Sequence, residues 1–133
     1  MKPEEFEDKK KQGLIGHVGF KQSAEMIAYN FAWNLKYFDE SIDPVLEDGI
    51  VKGIDQKAIA KFECGRSIEF VFKATEGLKD NDKLILNFDS IDVPLLINIP
   101  DGSNGEHATV AMLMNTADKL LNLDPGFKTM LDI

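Results

Sequence analysis

In Ala58-Ile59-Ala60-Lys61-Phe62-Glu63-Cys64-Gly65-Arg66-Ser67-Ile68-Glu69-Phe70-Val71-Phe72-Lys73-Ala74 the apolar side chains keep a period of two. Ala58, Ala60, Phe62 and Cys64 alternate with Ile59, Lys61 and Glu63; Ile68, Phe70, Phe72 and Ala74 alternate with Glu69, Val71 and Lys73. Successive side chains of a strand point to opposite faces, so each half reads as a half-buried strand, and Gly65-Arg66 as the tight turn between them. Beyond a polar loop, Leu84-Ile85-Leu86-Asn87-Phe88 and Val93-Pro94-Leu95-Leu96-Ile97-Asn98-Ile99 read as two more strands. Pro94 has no N–H to give a ladder and belongs at an edge or a strand start. Four strands at hairpin spacing make an antiparallel meander. The short apolar pattern Ile50-Val51-Lys52-Gly53-Ile54 leaves a fifth strand open.

Helical periodicity flanks this centre. Ala24, Ile27, Ala28, Phe31, Leu35 and Phe38 share one stripe and predict a helix over 21–38. Asp43-Pro44 then reads as the N-cap and first-turn proline of a short helical turn ended by Gly49. Near the C-terminus Ser103 and Glu106 have capping-box spacing, and Val110, Leu113, Met114, Ala117, Leu120 and Leu121 form the stripe of a helix that stops at Asp124-Pro125-Gly126. The order gives an α+β fold of two layers, a four-stranded antiparallel meander covered by an N-terminal-half helix and a C-terminal helix. Residues 1–20, lysine-rich with Gly13, Gly16 and Gly19, read as a flexible basic arm. Within that arm, Pro3 before Glu4 and Glu5, with Lys9 to Lys11 at the far end, suits a short helix dipole. Residues 21–133 read as a single domain.

Charge narrows the function. The 133 residues hold 15 Lys+Arg against 23 Asp+Glu, a net charge of −8. Arg66 is the one arginine, so a nucleic-acid-reading surface is not expected. A lone cysteine, Cys64, makes neither a disulfide framework nor a paired-cysteine zinc site and points to a reducing, cytoplasmic setting. No apolar run is long enough to cross a membrane. No cofactor motif stands out, and two histidines without metal-ligand spacing predict no metal centre.

On the 21–38 helix, Met26, Tyr29, Trp33 and Tyr37 fall within about 40° of the point opposite Ala24, forming a second apolar stripe. That stripe is covered either by the chain itself or by another protein. With Asp39, Glu40 and Asp43 beside it, it predicts a surface that steers and then anchors a protein partner or a second copy of the chain. The leading expectation is therefore a non-enzymatic interaction module of the acidic inhibitor, immunity, chaperone or phage-accessory kind. An alternative is a small-ligand domain with a pocket lined by Phe62, Phe70, Phe72, Leu86 and Phe88. A third is a small hydrolase-like enzyme built from Cys64 or Ser103, His107 or His17, and Asp101. Gly102, Ser103, Asn104, Gly105 and His107 at a helix start form a candidate anion loop, although capping explains the same residues. Cys64, continuing an inward face, reads as a buried inert thiol. Asp39, Glu40, Asp43, Glu47 and Asp48 lack a calcium-loop register and read as a solvated acidic turn.

Overall fold

The computed structural model describes residues 1–75, 77, 81–88 and 91–133, with side chains at all of these but 81, 86–88 and 91–94. Helices α1 (Pro3–Lys11) and α2 (Phe20–Tyr29) precede strands β1 (Leu35–Glu47), β2 (Ile50–Phe62) and β3 (Ser67–Thr75). Strands β4 (Asn81–Phe88) and β5 (Ile91–Pro100) and helix α3 (Gly105–Leu120) follow. The chain divides into two compact units, Met1–Leu78 and Lys79–Ile133. The fold is α+β with antiparallel sheets, one of order β1-β2-β3 and one pairing β4 with β5.

In the first unit β2 is the central strand, and the 21–38 helix of the sequence reading is shorter than its periodicity. Helix α2 ends at Tyr29; Ala32 turns the chain with φ +52, and Leu35 is already paired with Phe62. Phe31, Leu35 and Phe38 match a helical period, but Tyr37, Phe38, Ile42 and Val45 suit a pleated surface, and pairing of β1 along β2 overrides local propensity. Asp43-Pro44 is likewise strand rather than a helix start. Pro44 is tolerated because β1 is an edge strand. Asp48 (φ +50) and Gly49 (φ +75) form the two-residue turn joining Glu47 to its partner Ile50. Left-handed dihedrals at both central positions match the twist of the hairpin, which is why Asp-Gly serves there. Ile50–Ile54 is the first part of β2.

The face of this sheet that carries Gln56, Ala58, Ala60 and Phe62 holds two apolar clusters. Ala24 and Ala28 of α2 pack on Ala60 and Phe62, with Trp33, Leu35, Phe38, Ile68 and Phe70 around them. The small α2 residues bring helix and sheet close together. The second cluster joins Phe6, Ile15 and Val51 to Ile42 and Ile54. Phe6 is 0% exposed, so residues 1–20 include an anchored helix where the sequence suggested an arm. One buried phenylalanine, worth about 1.5–3 kcal/mol, offsets the marginal stability of a short helix. The Lys9–Glu5 ion pair at 2.7 Å adds a surface brace one turn apart.

In the second unit Leu84 pairs with Ile97 and Ile85 with Leu96, so both faces of the β4–β5 ribbon carry large apolar side chains, all exposed. Helix α3 begins after Asn104, whose Oδ1 accepts from the His107 N–H at 3.0 Å. The cap is thus Asn104 and not Ser103, whose own N–H donates to Asp82 Oδ2 at 2.8 Å. Among the described residues no helix is long and apolar enough to cross a membrane.

Candidate functional site

Gln56 is a buried polar side chain of the first unit, 0% exposed on the sheet face that also carries Ala58, Ala60 and Phe62. A primary amide has two acceptor lone pairs and two N–H donors, and burial requires that they be used. Its Oε1 accepts from the His17 backbone N–H at 2.6 Å. Its Nε2 donates to the His17 carbonyl at 2.8 Å and to Glu40 Oε1 at 2.6 Å. Because His17 offers an N–H to one end of the amide and a C=O to the other, the amide can bind in only this orientation. Gln56 thereby staples the α1–α2 connection to the sheet and aims the Glu40 carboxylate.

Gly16, before α2, makes this approach possible. A Cβ on Gly16 (φ +100) would sit 2.8 Å from Ile42 Cδ1 and 3.0 Å from Gln56 Oε1, so neither the dihedral nor the space admits a side chain. The His17 ring leans on Phe20 at 4.9 Å and on Phe72 at 5.9 Å between centroids, and Phe20 stacks on Phe70 at 5.0 Å. Register places Ile42, Gln56 and Phe72 in one row across the sheet, and Glu40, Ala58 and Phe70 in the next. A carboxylate, an imidazole and an aromatic wall therefore share one face.

The expected site residues are placed elsewhere or apart. Met26 and Tyr29 are exposed on α2, Trp33 lies in the turn after it, and Tyr37 is on β1 paired with Lys61. The second helical stripe is thus not one surface, because the helix it was drawn on ends at Tyr29. Trp33 packs on Phe62 at 5.5 Å, beside Phe31 at 4.9 Å, with the Arg66 guanidinium 5.2 Å above its ring. Asp39, Glu40 and Asp43 alternate along β1 instead of clustering, Asp39 opposite Ile59 and Asp43 opposite Asp55. Only Glu40 turns toward Gln56. Of the pocket residues, Phe62 and Phe70 belong to the packed α2 cluster and Phe72 to the His17 wall. Leu86 and Phe88 lie outside the described side chains.

Cys64 is exposed, since β2 ends at Phe62 and the period-two pattern runs two residues too far into the turn at Gly65 (φ +84). The Arg66 backbone N–H, helped by its side chain, holds the thiol below the ordinary cysteine range. In the candidate anion loop, the Ser103 and His107 N–H groups are already met by Asp82 and Asn104. Cys64 and His17 belong to the first unit, and Asp101, Ser103 and His107 to the second. Among the described residues no three His, Cys, Asp or Glu side chains converge on a cation site.

All of residues 1–133 match the model of one family, the 2,4-diaminopentanoate dehydrogenase C-terminal domain. The chain belongs to that family. A 2,4-diaminopentanoate dehydrogenase of Acetoanaerobium sticklandii is 28% identical over 149 aligned positions, which cover 98% of this chain and 41% of the relative. The chain therefore spans less than half the length of that relative.

Membership corrects the leading expectation of a non-enzymatic inhibitor, immunity, chaperone or accessory module, for the family is a domain of an enzyme. The expectation rested on the second apolar stripe and on the lack of a nucleophile, base and orienter set in the sequence. Redox chemistry is carried by an electron-accepting cofactor, however, so a dehydrogenase domain needs no such set. The described residues of this chain form no dinucleotide-binding turn. The strands pair antiparallel, and Gly13, Gly16 and Gly19 run at a spacing of three with Gly16 closed over by Ile42 and Gln56. A dinucleotide turn instead opens a helix after a parallel strand and leaves its glycine faces clear for the pyrophosphate.

Proposed function

We propose that this chain is the substrate-contacting domain of an amine-oxidising dehydrogenase of the 2,4-diaminopentanoate type. The observation that carries the reading is the family match along the whole of residues 1–133. The Gln56-centred face supports it, since a fixed carboxylate and imidazole beside an aromatic wall suit a small substrate bearing ammonium groups. The electron acceptor binds on another part of such an enzyme, in keeping with the absence of a dinucleotide turn among the described residues. A cytoplasmic setting belongs to the same proposal, as does the absence of nucleic-acid and membrane partners. So does a protein contact, moved from the α2 aromatics to β4, β5 and α3. There, Leu96, Leu113 and Met114 are at least 57% exposed and would be covered by a second copy or by the rest of the enzyme.

A chimera tests the reading. Residues 1–133 replace the matching segment of the Acetoanaerobium sticklandii enzyme, and amine-dependent reduction of a nicotinamide dinucleotide is followed with 2,4-diaminopentanoate. The expected result is turnover that requires the substrate's amine. A folded chimera that binds the dinucleotide but oxidises neither 2,4-diaminopentanoate nor a related diamino acid would overturn the proposal.

A further inference from the structure

We propose that Glu40, held by Gln56, is the carboxylate that binds an ammonium group of the substrate, with the His17 and Phe72 rings flanking its carbon chain. The inference rests on the dehydrogenase reading for the identity of the ligand, and on geometry for the residues. Glu40 is exposed, yet its Oε1 is tied at 2.6 Å to an amide that is itself wholly buried. An exposed glutamate ordinarily samples many rotamers, and ordering one costs side-chain entropy. Here the fold meets that cost in advance, which leaves the second carboxylate oxygen directed without further loss on binding.

Among the described residues no Lys or Arg nitrogen forms an ion pair with Glu40, and its one hydrogen bond comes from a neutral amide. Lys10, whose ammonium reaches the same strand, donates to the Ile42 carbonyl at 2.6 Å. Asp55, by contrast, takes both Lys57 and Lys73 at 3.7 and 3.4 Å on the opposite face of the sheet. An anion held in place with no paired cation among the described residues, on the sheet face that also carries Phe70 and Phe72, favours an organic cation: the charge meets the carboxylate and the alkyl chain meets the apolar face. Gln56 is a positioning residue in this scheme, and Glu40 and His17 make the contacts.

Isothermal titration of the full chain with 2,4-diaminopentanoate tests the assignment, with pentanoate as the control that lacks both amines. Wild type is expected to bind the diamino acid saturably and pentanoate not at all. Glu40→Gln keeps an oxygen for the Gln56 N–H while removing the charge, so it should fold like wild type and bind at least tenfold more weakly. Glu40→Asp retains the charge one carbon short and should lose less, a graded order that a purely structural role would not produce. The inference is overturned by affinity within twofold of wild type in Glu40→Gln, by equal losses in the two variants, or by no saturable binding to wild type. If the chimera oxidises its substrate while any of these holds, the Glu40 assignment fails and the dehydrogenase reading stands; an inactive chimera removes the reading itself.

Discussion

Replacing Gln56 by Leu is the most direct test of how the first unit is held together. The two side chains have similar volume, so packing changes little and the loss is that of three hydrogen bonds. Two join neutral groups, at about 1 kcal/mol each, and the third ends on a carboxylate, at about 1.5–3 kcal/mol. The gross loss is about 4 kcal/mol. Water reaches the exposed Glu40 and part of the His17 backbone, and an apolar side chain in place of an amide returns about 1–2 kcal/mol, leaving a net loss of about 2–3 kcal/mol. Trp33 is the chain's one tryptophan and packs on Phe62, so its fluorescence reports unfolding of this unit alone. With a urea dependence of about 1–3 kcal/mol/M, the midpoint should fall by roughly 1–2 M at unchanged slope. A shift below about 0.3 M, or a gain in stability, would refute the argument that the amide's hydrogen bonds hold residues 16–18 to the sheet.

Two further perturbations probe other parts of the same unit. Phe6→Ala empties a site that is 0% exposed and should cost about 3–5 kcal/mol in the same urea titration, with proteolysis opening first within residues 1–15. An unchanged midpoint would mean that α1 is not anchored. Cys64, its thiolate favoured chiefly by the Arg66 N–H and then by the guanidinium, should alkylate with an apparent pKa below that of free cysteine. Arg66→Gln should raise that pKa only part of the way, because the backbone donor remains; full reversion would assign the effect to the side chain instead.

The parts of the fold legible in the sequence are those where local pattern and tertiary pairing agree. The alternation in Ala58–Phe62 and Ile68–Phe72 is observed as β2 and β3, with their turn at Gly65, and the C-terminal stripe as α3. The pattern misled where two periods coincide. Phe31, Leu35 and Phe38 fit a helix by spacing, yet they span a turn and a strand, because three or four residues are too few to separate 3.6 from 2. The Asp48-Gly49 dipeptide held the contrary signal. Flanked by Val45, Leu46, Ile50 and Val51 it is one of the dipeptides favoured in two-residue hairpin turns, and a hairpin there makes Pro44 an edge-strand residue.

The site was harder to see for a different reason. Gln56 stands in register with Ala58, Ala60 and Phe62, so a polar residue on the inward face was visible in the alternation, and an inward amide must find partners. What one strand's pattern cannot supply is the partner, because His17 lies 39 residues away and Glu40 16, joined only once the sheet has formed. Gly13, Gly16 and Gly19 read as flexibility for the same reason. A glycine that permits mobility and a glycine that permits close approach have the same letter, and only the neighbours of Gly16, where an added Cβ would stand 2.8 Å from Ile42 Cδ1, tell them apart. The functional class was obscured by the division of labour in dehydrogenases. A domain that orients an amine beside an acceptor held by other residues needs one fixed anion and a shaped wall, and such a pair has no spacing signature. A −8 charge without a catalytic set is therefore as expected of a cation-recognising part of an enzyme as of an acidic inhibitor; in the reading proposed above, what separates them is a carboxylate held in place with no paired cation among the described residues, the arrangement of Glu40.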